Sequence, residues 1–102
     1  MAKLEAGFIF LAAQADYHSD FKTVSTPSVN LTAIGAQNYD DAVKAAQFLE
    51  NKGVKAIELC GGFGIMGTAK IKAAVSDEIA VGVVRFDNHP GLDFQSGDQL
   101  FN

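Results

Sequence analysis

The fold is decided by the stretch Val54-Lys55-Ala56-Ile57-Glu58-Leu59-Cys60, Gly61-Gly62-Phe63-Gly64-Ile65-Met66-Gly67, Thr68-Ala69-Lys70-Ile71-Lys72-Ala73-Ala74-Val75 and, after three polar residues, Ile79-Ala80-Val81-Gly82-Val83-Val84-Arg85-Phe86. It reads as a strand, a glycine-rich turn, a helix over Thr68 to Val75 with Ile71, Ala74 and Val75 inward, and a nearly all-apolar strand. Just upstream, Asn38 can cap a helix whose N3 residue is Asp41. Tyr39, Ala42, Val43, Ala46 and Leu49 lie on one stripe of that helix, and Gly53 ends it. Alternating strands and helices imply parallel strands joined by right-handed crossovers.

Outward from this core, Val29 to Gly35 alternates apolar and polar residues, the period of a strand with one wetter face, and is expected toward an edge. Leu4 to Ala12 is a continuous apolar run carrying Phe8, Ile9, Phe10 and Leu11, the pattern of a central strand covered on both faces. Residues 13 to 28 between them are polar, with Thr26-Pro27-Ser28 as a breaker, and read as a long connection with room for a short helix. The expectation is an α/β domain with a small, mainly parallel four-stranded sheet and two or three helices, in β-β-α-β-α-β or β-α-β-α-β-α-β order, equivalent to half of a doubly wound or barrel-like fold. The first and fourth strands, being the most apolar, are expected in its centre.

A chain of 102 residues fits one domain, which can bury roughly two-thirds of its unfolded surface. Apolar residues make up 48%, so a packed core is expected. The formal net charge of −4, with no cluster of Lys and Arg, argues against nucleic acid as a partner. Glu5 interrupts the apolar run that a secretory signal needs, and the apolar stretch Ala6 to Ala13 is too short to span a bilayer. One cysteine cannot form an internal disulfide and suits a reducing compartment, so the reading is cytoplasmic, with no membrane partner. The tail from Asn88 to Asn102 carries Leu92, Phe94, Leu100 and Phe101, too much apolar surface to leave in water. It packs either on its own domain or on a neighbouring subunit, and a homo-oligomer is expected.

In open parallel sheets ligands gather at the carboxyl ends of the strands, where helix N-termini present unpaired N–H groups. The glycine turn lies at such an end. Gly61, Gly62, Gly64 and Gly67 permit positive φ and close approach of a ligand, while the amides of Thr68, Ala69 and Lys70 open a helix whose dipole favours an anion. The turn is no Walker loop, because no Gly-Lys-Ser/Thr closes it. Close packing of strand against helix explains the same glycines without any ligand. Cys60 ends its strand beside the amides of Gly61 and Gly62, a nucleophile's setting, with His89 as the candidate base; core packing of the thiol and a loop hydrogen bond for the imidazole are the plainer readings.

Glu58 sits in an otherwise apolar strand and needs solvent or a partner, for which Arg85 is the natural choice. Alternatively Arg85, with Glu58 orienting it and Asp87 nearby, grips a carboxylate or phosphate in two-pronged fashion. Asp87, His89, Asp93 and Asp98 match no metal-ligand spacing, nor does the loop trio Asp16, His18 and Asp20, so neither a metal nor another cofactor is expected.

The segment Ala56 to Gly64, followed by Gly67 and Ala69 and then by Val84-Arg85-Phe86-Asp87-Asn88-His89-Pro90-Gly91, resembles a small uncharacterised prokaryotic family of single-domain proteins of about this length. The resemblance spans nearly the whole chain. It implies a compact α/β fold and a shared loop pattern, and it transfers no catalytic residue. The functional expectation is binding of a small anionic metabolite, a phosphate or carboxylate, at the Gly61 to Gly67 turn. The alternative is a non-enzymatic oligomerising or protein-interaction module, and whether a reaction occurs stays open.

Overall fold

The computed structural model describes residues 3–102; the part of the N-terminal reading that rests on Met1 and Ala2 lies outside the described residues. The chain forms β1 (Leu4–Leu11), β2 (Phe21–Ser25), β3 (Val29–Ala36), α1 (Tyr39–Asn51), β4 (Ala56–Leu59), α2 (Ile65–Ala74), β5 (Ala80–Val83), a 3-10 turn (Pro90–Leu92) and α3 (Gly97–Leu100). The strands make one five-stranded sheet in the order β2-β3-β1-β4-β5, with β2 antiparallel to β3 and all other pairs parallel. The α/β class and the mainly parallel sheet are therefore as the sequence predicts.

Three expectations are corrected. The 13–28 connection holds a strand, β2, in place of a short helix. This makes the sheet five-stranded and moves β3 from the edge to an interior position. The third strand of the sequence reading, β4, pairs directly with β1, while the fourth, β5, is an edge strand and not a central one. Its apolar composition has a different cause: Val81 and Val83 lie on the rows of Ile57 and Leu59, toward the helices, and the alternating positions are only Ala80 and Gly82. Finally, β1 is central but carries helices on one side alone.

Crossovers β3-α1-β4 and β4-α2-β5 move the same way across the sheet, so right-handed connections put both helices on one face, where they pack on each other. Alternation along the strands then fixes what faces them. Ile9, Ile34, Ile57 and Leu59 point to the helical layer and are fully buried together with Leu49 and Ile71. Gly7 leaves room on that face for the Leu49 side chain.

Helix α1 starts as its sequence dictates: the Asn38 side chain accepts the Asp41 N–H at 2.9 Å. Past the C-cap Lys52, Gly53 adopts φ +93°, the left-handed conformation that stops a helix. No helix among the described residues is long and apolar enough to cross a membrane.

Candidate functional site

Strand β4 delivers Cys60 and the glycine turn to the carboxyl edge of the sheet. Helix α2 begins at Ile65, capped by Gly64, three residues earlier than the sequence pattern predicts. The shift changes which amides stand at its mouth. The Thr68 N–H already bonds to the Gly64 carbonyl at 3.0 Å, and the Thr68 hydroxyl donates to the same oxygen at 2.9 Å. Thr68 and Ala69 thus lie within the first turns of the helix, Thr68 half-buried and Ala69 exposed.

The true mouth is filled from within the chain. Asp98, on α3, accepts the Met66 N–H on both carboxylate oxygens (3.0 and 3.1 Å) and the Gly67 N–H at 3.2 Å. The Tyr39 hydroxyl donates to the same carboxylate at 3.0 Å and accepts the Gly64 N–H at 2.9 Å. A side-chain carboxylate thereby takes the place that the helix dipole reserves for an anion. Burial works to raise the Asp98 carboxyl, but the Met66 N–H, the Tyr39 hydroxyl and the Gly67 N–H outweigh it and hold the group below the ordinary carboxylate range. Burial pushes the Tyr39 phenol up to about 12 against the Gly64 N–H, with the Asp98 charge adding to the rise.

The glycines serve this clasp by their size. Among the described residues the one glycine with positive φ is Gly53, so the left-handed conformations expected at Gly61, Gly62, Gly64 and Gly67 are absent. A Cβ at Gly64 would strike the Asp98 carboxylate, one at Gly67 the Tyr39 ring, and one at Gly61 the Phe86 ring. Gly97 presses on the Gly62 carbonyl in the same way. Close approach, the other half of the sequence argument, is what the turn requires.

On its outer side the turn borders a groove of about 390 Å³ between α2 and β5. Phe63, Ile65 and Val83 give it an apolar lining, Gly64, Thr68 and Ala69 form one wall, and Lys72 and Arg85 bring two cations to it. Lys72 donates to the Ile79 carbonyl at 2.8 Å, and Arg85 Nε bonds to Asp87 at 2.9 Å. A second hollow of about 450 Å³ lies between the 12–15 segment and Lys22, and none of the predicted site residues lines it.

Of the predicted site residues, Gly64, Thr68, Ala69 and Arg85 meet at this groove, with Asp87 attached through Arg85. Glu58 does not join them. It shares a row with Gly82, while Val83 shares one with Leu59, so alternation carries Glu58 and Arg85 to opposite faces of the sheet. The expected Arg85–Glu58 ion pair is replaced by Arg85–Asp87, and Glu58 is solvated.

Cys60 and His89 flank Gly61 without bonding to each other among the described residues. The half-buried thiol accepts the Gly62 N–H at 3.3 Å, whereas His89 accepts the Gly91 N–H on Nδ1 at 3.0 Å and packs its ring 4.7 Å from that of Phe86. Sequence reasoning missed Tyr39 and Asp98 as partners. The one available signal was Ser96-Gly97-Asp98-Gln99, a capping box that forms as written and sets the angle of Asp98. Among the described residues no group of His, Cys, Asp and Glu is arranged to hold a metal.

Fold and site together define a two-layer α/β protein with a cation-bearing groove at the carboxyl edge of its sheet. The chain belongs to DUF6506, a family of unknown function, whose family model matches residues 4–99. No curated protein and no solved structure matches it.

Proposed function

We propose that the protein binds a small anionic metabolite, with a carboxylate or phosphate head and an apolar body, in the groove between α2 and β5. The observation that carries this reading is the pairing of Lys72 and Arg85 with the apolar lining of Phe63, Ile65 and Val83 in one cavity of about 390 Å³, a size suited to a small ligand. In a chain of net charge −4, two cations converging on one apolar groove favour a negatively charged ligand there. Arg85 spends Nε on Asp87 and keeps its Nη groups for a two-pronged grip on an oxyanion. The amides at the mouth of α2 stay with Asp98, so the head is recognised by side chains and not by the turn's main chain.

Thermal melting with inorganic phosphate, phenyl phosphate and hexanoate tests the reading. The expected result is a rise in Tm that is larger for the two probes with an apolar body and is lost in Arg85→Ala and Lys72→Ala. No shift with any of the three, or a shift that survives both substitutions, overturns it.

A further inference from the structure

Among the described residues no helix covers the face of the sheet opposite α1 and α2; the 12–15 segment lies over its carboxyl end, where Ala15 packs at Gly35 beside Phe10, and the rest of the face is open. Val24 is 62% exposed and Leu4 47%, Phe8 and Leu31 are half-buried, and a Cβ built on Gly82 meets nothing. An apolar sheet face of this extent marks a contact surface. Five strands about 4.8 Å apart make it about 24 Å wide, and strands of this length make it about 20 Å long. The flat area is on the order of 500 Å², the scale of a small interface, below the roughly 800 Å² per partner of a standard one.

The register shows which partner fits. Hydrogen-bonded neighbours align one row across this face as Lys22, Ala33, Phe8, Glu58 and Gly82, and the next as Val24, Leu31, Ala6, Ala56 and Ala80. In both rows the larger side chains lie on the β2 and β3 side or at the charged position of β4, and small ones lie at the mirror positions about β1. A two-fold axis parallel to β1 and above it reverses each row over itself. Val24 then meets Ala80 of the second copy, Leu31 meets Ala56, and Ala6 meets Ala6. In the charged row Lys22 meets Gly82, Glu58 meets Ala33, and Phe8 meets Phe8 at the axis.

Within these two rows every long side chain off the axis thus faces a small one, the interdigitation that a packed core between two layers needs. Lys22 and Glu58, the two charged residues in these rows, come within one strand spacing of each other across the interface, twice per dimer by symmetry. A two-fold axis running across the strands would instead stack β2 on β2, with Lys22 beside Lys22 and Glu58 beside Glu58. Like charges disfavour that arrangement.

We infer that two copies of this chain associate through the helix-free faces of their sheets about a two-fold axis parallel to β1, in a four-layer α/β/β/α dimer held in register by reciprocal Lys22–Glu58 pairs. The ligand groove lies in the helical layer, so this inference stands independently of the proposed function.

Sedimentation of the full chain at micromolar concentration reads the assembly directly. The expected mass is twice the 10.8 kDa of one chain. Lys22→Glu and Glu58→Lys, both at exposed positions in the single chain, each weaken the dimer by about tenfold or more, and the two together restore it to within about threefold of the wild type. Gly82→Arg, whose side chain enters open space in the single chain but meets Lys22 of the second copy, gives a folded monomer. A wild type that stays monomeric overturns the inference. So does a dimer indifferent to Gly82→Arg, or one that the two charge reversals together fail to restore.

Discussion

The Tyr39 hydroxyl donates to the Asp98 carboxylate across 3.0 Å while accepting the Gly64 N–H at 2.9 Å, so one side chain at the start of α1 ties the glycine turn to α3. The tie is fully buried at Tyr39, whose ring also stacks on Phe63 with centroids 5.5 Å apart. Removing the hydroxyl leaves the Gly64 N–H without its acceptor. Tyr39→Phe should therefore cost about 1–3 kcal/mol in urea unfolding. Asp98→Ala should cost a similar amount, and a double-mutant cycle should return a coupling of about 0.5–3 kcal/mol, because the two groups share one network.

Stability should depend on Asp98 in acid and on Tyr39 in alkali. The Asp98 carboxyl is held below its unfolded value of about 3.9. Its contribution is therefore present above that value and is lost as pH falls through the lower folded one. Urea unfolding of the wild type should weaken more steeply below about pH 4 than that of Asp98→Asn. Tyr39 has the opposite sign. Its folded value of about 12 exceeds the ordinary 10, so stability is intact below pH 10 and falls as pH rises toward 12, a decline that Tyr39→Phe should lessen.

Glycines of similar sequence context should respond oppositely to alanine. Gly67→Ala drives a methyl into the Tyr39 ring and Gly97→Ala drives one into the Gly62 carbonyl, each expected to lower stability by about 1–3 kcal/mol or more. At Gly82 a methyl meets nothing within its own chain, the flexible Lys22 of a second copy can move aside, and φ is not positive, so Gly82→Ala should be neutral or stabilising by up to about 1 kcal/mol. Chemical denaturation of the three variants side by side checks both signs.

Gly53 separates backbone strain from crowding. Its φ of +93° is costly for any residue with a Cβ, although a Cβ there would touch nothing. Gly53→Ala should cost about 1 kcal/mol, read as a fall in Tm of about 4–8 °C.

What the sequence reveals tracks how local the deciding physics is. Asn38, Asp41 and Gly53 announce α1 because capping and termination involve residues a turn apart. Strand β2 escaped because Phe21–Ser25 is short and polar; its place is set by pairing with β3, including the 2.8 Å contact between the hydroxyls of Thr23 and Thr32. Apolar character placed β1 in the centre correctly and misplaced β5, since Ala80 and Gly82 count as apolar without needing burial. At the site, the glycine turn was visible as a motif, and so was the presence of Arg85 at the same end of the sheet. The carboxylate that fills the mouth of α2 was not, because Asp98 acquires its meaning only from N–H groups supplied by residues more than thirty positions away.

The interior place of β1 also governs how the chain reaches this structure. Its two neighbours pair Leu4 with Val29 and Ala6 with Ala56, so each ladder must close a long loop before any bond of β1 forms. The β2–β3 hairpin, closed by Thr26 and Val29, is among the described residues the one pairing of strands joined by a short turn; β4 and β5 pair only across α2. Loop-closure entropy accordingly favours forming α1 and that hairpin before the long-range ladders of β1, an order that folding kinetics would test. Substitutions that loosen the hairpin turn will slow folding, whereas those in β5 will chiefly hasten unfolding.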